Sequence, residues 1–254
     1  MIDPPRGTAQ AAHCGPDVRR AMLGRTPLFR SLDEGALARV DARCRALACD
    51  PGQIVQHAGD PADALYVVAS GAVKLATVGP EGRAVLHDVA APGETFGALR
   101  ALGDEAAPHD ATCIRHGCLL VVSADTFRAL LREVPEVAAA ALEATADRLR
   151  DAQSSVASLS TLPVEGRLAE ALLRLARKSS VATPEGRRID VAPTQVDLAA
   201  MVGTSAESVS RVFARWRAAG VLGTGPEGPI LRDEAALERA ARGEGARGEG
   251  APGT

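Results

Sequence analysis

The sequence predicts an α+β chain: a small antiparallel β-barrel, one long helix, then a winged helix-turn-helix. Three observations predict it. Glycines punctuate short β-branched runs over residues 50–125, a glycine-free heptad stretch runs from Pro135 to Leu159, and two capped helical segments meet at Gly203. The chain has 254 residues, 46% hydrophobic and 24% charged, enough for one large domain or two modest ones. No stretch approaches the ~20 uninterrupted apolar residues of a spanning helix, so no membrane partner is expected. The amino end, Met1 to Thr26, carries Pro4, Pro5, Pro16 and several charges, lacks a secretory apolar run and is expected to be flexible. Five dispersed cysteines are too few for a disulfide scaffold, and the odd count fits a reducing cytosol. A net charge of −3 excludes an all-over basic coat for nucleic acid and leaves open one local basic face.

Within residues 50–125 the runs Ala64–Ala69, Ala72–Val78 and Cys118–Val122 read as short strands separated by turn signals. Ser70-Gly71 and Gly79–Gly82 read as hairpin turns. A helical preface, Asp33 to Leu47, stands before them.

Pro135 suits a first helical turn. Beyond it, Ala138, Leu142, Thr145, Leu149, Ala152, Val156 and Leu159 recur at gaps of 4 and 3, a heptad seam. Two readings are open: an interface between two parallel helices, or a helix packed on its own barrel. Pro163 and the Ser-Thr run before it break the helix, which makes Ser160–Val164 a hinge candidate. Gly243–Thr254 repeats Gly-Glu-Gly-Ala and reads as a disordered tail.

Thr194 is placed to cap a helix over Gln195–Val202, with Asp197 reaching back, and Gly203 ends it. Thr204–Glu207 reads as a second capping box opening a helix that runs to Gly220. At ~100° per residue, Val209, Val212, Phe213 and Trp216 share one face, the core face. Glu207, Arg211, Ala214 and Arg215 take the opposite face, with Ser210 at its border. A small polar and basic face on a helix amino half suits a major groove; arginines on a solvated surface would look the same. Val221-Leu222 and Pro229–Leu231 flank a glycine-rich loop and read as a β-wing.

The order of barrel, long helix and winged helix-turn-helix resembles the CRP/FNR family of transcription regulators. The residues that carry the resemblance are Gly59-Asp60, Leu65-Tyr66, Ser70–Lys74, Pro92–Gly97, Arg148–Arg150, Thr194–Ala199 and Val202–Ser205, spread from about Pro27 to Ala240. It implies a jelly roll of the cyclic-nucleotide-binding type and a cytoplasmic homodimer. The implied division is a flexible segment 1–26, an effector-sensing barrel 27–134, a dimerisation helix 135–160, a DNA-binding domain 161–240 and a disordered tail 241–254. The implied dimer interface is Leu142, Thr145, Leu149, Ala152, Val156 and Leu159, and the implied partners are double-stranded DNA and RNA polymerase. Two reading helices would enter major grooves about 34 Å apart. The run Glu207–Arg211, with Ala206 before it, is similar to the Glu-x-x-Ser-Arg pattern of the FNR branch, which implies TTGA-type half-sites. Glu207, Ser210 and Arg211 would meet base edges; Thr194, Gln195, Ser205 and Arg215 would meet phosphates.

The effector is not identified. Cyclic-nucleotide members hold the phosphate with an arginine and the ribose with a glutamate after Phe-Gly. Here Phe96-Gly97 is followed by Ala98, and the arginine's place falls at His109 or Asp110, so cAMP and cGMP are disfavoured. The pocket positions are Gly97, Ala98, Leu99, Arg100, His109, Asp110 and Ala111. Iron–sulfur members need several closely spaced amino-terminal cysteines, where this chain has Cys14. A haem needs axial ligands, and His13, His87, His109 and His116 form no pattern. Haem, redox and iron–sulfur sensing are therefore kept as alternatives. His57 reads as a turn residue, and Cys118 as a small buried hydrophobe.

Enzyme classes find no support. A cupin metal site needs closely spaced histidines, and no His-x-His occurs; a hydrolase elbow, Gly-x-Ser-x-Gly, is absent. The alternative from another class is a ligand-binding module that docks on a protein through its helix-turn-helix.

Overall fold

The structure, a computed structural model, describes residues 15–97, 105–225 and 228–244. They form two compact units, one from residues up to 77 together with 90–148, the other from 78–89 and residues from 149 onward. Most of the tail, residues 245–254, lies outside the described residues.

The first unit opens with helix α1 (Pro16–Arg25), with a proline and Asp17 in its first turn and Arg25 in its last. The expectation of a flexible segment 1–26 is corrected over this stretch. Leu23 is fully buried beside Leu28 and Phe29, and Arg19 Nε donates to Asp41 at 2.9 Å. Helix α2 (Glu34–Asp41) follows, capped by Asp33, whose carboxylate accepts from the Ala36 amide at 2.6 Å. It stops well short of Leu47: Arg45–Cys49 is strand β1, because pairing with a distant strand overrides local helix propensity there.

Strands β2 (Ile54–Gln56), β3 (Ala64–Val78), β5 (Thr95–Gly97) and β6 (Asp110–Ser123) complete the antiparallel sheet of this unit, in the order β1-β6-β3 with β2 beside β6 and β5 beside β3, while β4 (Ala84–Ala90) falls almost wholly in the stretch 78–89 of the other unit. The antiparallel architecture stands, but among the described residues the strands do not close into a complete barrel. Ser70-Gly71 is not a hairpin turn. β3 runs through it, with register shifts against β6 between Val68 and Val73. Gly71 has φ +82°, and a Cβ there would lie 2.8 Å from Gly117 Cα and from the His116 carbonyl oxygen. Two long strands thus bend together where glycine alone fits. Gly79–Gly82 is the true turn: the Gly79 amide donates to the Arg83 carbonyl at 2.9 Å and the Gly82 amide to the Gly79 carbonyl at 2.9 Å.

Alternation along β3 and β6 gives the sheet two apolar faces. Leu65, Val67, Leu120 and Val122 pack with Leu23, Phe127 and Val137 from the helices and with Phe29 from the turn after α1. Tyr66, Val68, Leu119 and Val121 form the other cluster with Phe96, whose ring stacks on Tyr66 at 4.8 Å between centroids. Burying each such side chain contributes roughly 1.5–3 kcal/mol.

The cysteines, expected to be too few and too dispersed for a disulfide scaffold, nevertheless include a bonded pair. Cys49 and Cys113, 64 residues apart, form a disulfide with their Cα atoms 6.1 Å apart. Sheet pairing brings them together: Cys49 lies opposite Gly117, and Cys113 exchanges backbone hydrogen bonds with Gly52 and Gln53 just past β1.

Helix α3 (Ala124–Glu133), capped by Ser123, leads into helix α4 (Pro135–Thr161). Helix α4 has two distinct faces. Val137 and Ala141 are buried in the helix-side cluster, while Leu142, Leu149, Val156 and Leu159 are 72%, 59%, 65% and 49% exposed. The heptad seam is therefore not the face that packs on the chain's own core.

In the second unit the chain breaks at Leu162-Pro163 and resumes as helix α5 (Val164–Lys178). Strands β7 (Ser180–Thr183) and β8 (Gly186–Ile189), helices α6 (Gln195–Val202) and α7 (Ala206–Ala218), strands β9 (Leu222–Gly225) and β10 (Gly228–Leu231) and helix α8 (Glu234–Ala241) follow. The four strands form one antiparallel sheet of order β7-β8-β10-β9, so the expected wing hairpin is extended by a second hairpin. Among the described residues no helix is long and apolar enough to cross a membrane.

Candidate nucleic-acid interface

The helix-turn-helix is built from local polar contacts. Thr194 Oγ1 accepts from the Asp197 amide at 3.1 Å, and the Asp197 carboxylate accepts from the Thr194 amide at 3.3 Å, closing the predicted capping box. Gly203 at φ +65° takes the left-handed turn that ends α6. The second cap differs from the expected Thr204–Glu207 box. Ser205 caps α7, accepting from the Ser208 amide at 3.2 Å, because the turn at Gly203 delays the helix by one residue. Glu207 is thereby released from capping and stands exposed.

The two faces of α7 fall where the angular arithmetic put them. Val209, Val212, Phe213 and Trp216 are buried; Glu207, Ser210, Arg211, Ala214 and Arg215 are exposed. Arg211 Nη2 donates to Ser208 Oγ at 3.1 Å, which holds the guanidinium along the amino half of the helix. Thr194 and Ser205 are exposed and Gln195 is half-buried, all in the first turns of the two helices.

One determinant was missed in the sequence. Glu165, in the first turn of α5, accepts from Trp216 Nε1 at 2.8 Å and pairs with Arg215 at 2.7 Å. A single carboxylate thus seats the core edge of α7 and holds Arg215, one of the predicted phosphate ligands. The only local signal was an acidic residue just after Pro163.

The turn between α4 and α5 is braced on both sides. Ser154 donates to Glu170 at 3.1 Å, Ser158 donates to the same carboxylate, Arg174 donates to Ser155 at 3.3 Å, and Arg167 donates to the Leu159 carbonyl at 3.2 Å.

The predicted effector positions fare differently. Ala98, Leu99 and Arg100 lie outside the described residues. Gly97 pairs with Leu65, and Ala111, fully buried, pairs with Leu75 and Gln56. His109 is half-buried. The Asp110 carboxylate accepts from the Ala58 amide at 2.8 Å and stands 3.5 Å from His57 Nδ1. Asp110 thus presents a fixed carboxylate at one of the two positions where the family resemblance expects the phosphate-holding arginine, and a carboxylate there does not suit a cyclic phosphate. Among the described residues no group of three or more His, Cys, Asp or Glu side chains is placed to hold a metal ion. Cys118 is buried, and Cys44 is a free thiol.

Residues 46–134 match the family described as "Cyclic nucleotide-binding domain", and residues 166–240 match "Crp-like helix-turn-helix domain". A "Cyclic AMP receptor protein" of Thermus thermophilus is 33% identical over 192 residues, covering 76% of this chain and 86% of that protein. A "CRP-like cAMP-activated global transcriptional regulator" of Mycobacterium tuberculosis is 28% identical over 221 residues, 87% of this chain and 99% of that protein. Among solved structures, FixK2 from Bradyrhizobium japonicum has the same fold, with a TM-score of 0.70 at 22% identity over 78% of this chain and 96% of that one. With the sheet unit, the long helix and the winged helix-turn-helix all in place, the chain belongs to the CRP/FNR family of transcription regulators.

Proposed function

We propose that the chain acts as a homodimer that binds a TTGA-type palindrome in double-stranded DNA and regulates transcription from there in the cytoplasm. The observation that carries this reading is the exposed side of α7. Glu207, Ser210 and Arg211 stand together on it, while the opposite side is spent on the core. Arg211 is suited to donate twice to guanine O6 and N7, Glu207 to accept from a cytosine amine, and Ser210 to approach a base edge with little bulk. Thr194, Gln195 and Ser205 would fix register on phosphates, and Arg215 would join them by exchanging the Glu165 carboxylate for a phosphate.

The exposed seam of Leu142, Thr145, Leu149, Ala152, Val156 and Leu159 supports pairing of two α4 helices, since large apolar side chains at heptad spacing lose water on meeting their copies. Control is a population shift: an effector at the sheet unit, distinct from cAMP, biases two dimer arrangements that differ about the Ser160–Val164 turn. The braces on Glu170 must rearrange for that turn to move. RNA polymerase is the partner through which the bound dimer acts, and no catalytic step is assigned to the chain.

Footprinting on a TTGA palindrome across a salt series tests the reading. The native chain should protect the site as a dimer, with affinity falling steeply as salt rises. Arg211→Ala should cost about 1–3 kcal/mol per half-site. Unchanged protection by that variant overturns the assignment of the reading face.

A further inference from the structure

At one end of the sheet unit lies a cavity of about 530 Å³, within the range of small-molecule sites. One wall runs from the end of α2 into β1, with Arg43 and Arg45; the other is the loop from β2 to β3, with Asp60 and Asp63. Its floor comes from the sheet. Arg45 pairs with Val121, and Val121 pairs with Tyr66, so three side chains sit abreast on the face of the second apolar cluster. Gly97, His109, Asp110 and Ala111 are not among its lining residues, so it is separate from the positions where the family's nucleotide site is expected.

Three features mark it as built for a ligand. Gln56 is 6% exposed, and its amide Nε2 has no hydrogen-bond partner, a buried donor left without an acceptor. Arg43 and Arg45 stand exposed on one wall, and on the facing wall Asp60 is exposed and accepts from the His57 amide at 2.9 Å. Tyr66, 9% exposed at the floor, feels both signs of charge. Burial pushes its phenol above the ordinary range, Arg45 pulls it back, and Asp60 and Asp63 push it further. Side chains of both signs thus border the same opening.

We propose that this cavity binds a small dipolar molecule of the free α-amino acid class, with its carboxylate toward Arg43 and Arg45 and its ammonium toward Asp60. An anion alone would leave the aspartates facing it, and a cation would meet the arginines; a zwitterion satisfies both walls. The Gln56 amide gains an acceptor on the ligand, and Val55, Ala64 and Val121 give its side chain an apolar bed.

Calorimetry and thermal shift on the full chain test this with a panel of free amino acids. Each is compared with its N-acetyl form, which lacks the ammonium, and its amide, which lacks the carboxylate. At least one free amino acid should bind, and both of its derivatives should bind more weakly by about tenfold or more. Arg45→Ala and Asp60→Asn should each weaken binding to a similar extent without changing the circular dichroism spectrum. Gln56→Met should lose affinity while raising the ligand-free melting temperature, because it removes an unpaired donor and keeps the volume. The proposal is overturned if no amino acid binds, if either derivative binds as well as its parent, or if the Arg45 and Asp60 variants bind normally. DNA binding does not enter this assay, so its outcome is independent of the DNA-reading assignment.

Discussion

The winged unit and the sheet unit are specified over different distances. In the winged unit the decisive polar partners lie three residues apart: Thr194 with Asp197, Ser205 with Ser208, Ser208 with Arg211. In the sheet unit the decisive partners, whether covalent, polar or strand-paired, lie far apart in the chain: Cys49 with Cys113, Ala58 with Asp110, Arg45 beside Val121. An element assembled from local caps keeps its own shape, whereas a sheet assembled from remote strands has a shape that depends on how those strands bend. Local contacts form at low loop-closure cost; the sheet's contacts wait for long loops to close.

Substitution at the bend should break this contrast most sharply. Gly71→Val forces a branched side chain into a positive-φ position pressed against the β6 backbone, and should destabilise the first unit by about 3 kcal/mol. Hydrogen exchange should then accelerate in β3 and β6 while the amides of α6 and α7 stay protected. Equal acceleration in both units would mean that they fold as one, and the contrast would fail. A smaller effect is expected inside the winged unit. Thr194→Ala removes one cap and should cost about 1 kcal/mol, with faster exchange confined to the first turn of α6. The mildest probe is Cys44, at the junction of α2 and β1. Burial, with a smaller contribution from Asp41, pushes its thiol up to about 12, so the reactive thiolate is scarce at neutral pH. Its alkylation, followed by peptide mass spectrometry, should be slow and should quicken with each step in pH well beyond 9. A rate that levels off near pH 9 would show that the sheet unit is loosely packed at this edge.

This contrast also explains what could be read in advance. The faces of α7, the box at Thr194 and the turn at Gly203 were legible because 3.6-residue periodicity and three-residue capping are written in adjacent letters. The continuity of β3 through Ser70-Gly71 was not, because a serine-glycine pair looks the same in a hairpin as in a bulge, and β6 decides between them. The Cys49–Cys113 bond, the end of α2 at Asp41 and the cavity beside Tyr66 likewise depend on strands that meet only after folding. Within the winged unit the residue that escaped was Glu165, whose partners Arg215 and Trp216 lie some fifty positions downstream.

That carboxylate has a practical consequence. Trp216 is the sole tryptophan of the chain, 5% exposed, with its indole N–H tied to Glu165. The emission of the native chain therefore comes from one fluorophore on α7, the helix proposed to read DNA. Any rocking of α7 against α5 would alter the colour or intensity of that light, and the motion can be followed in real time without attaching a dye.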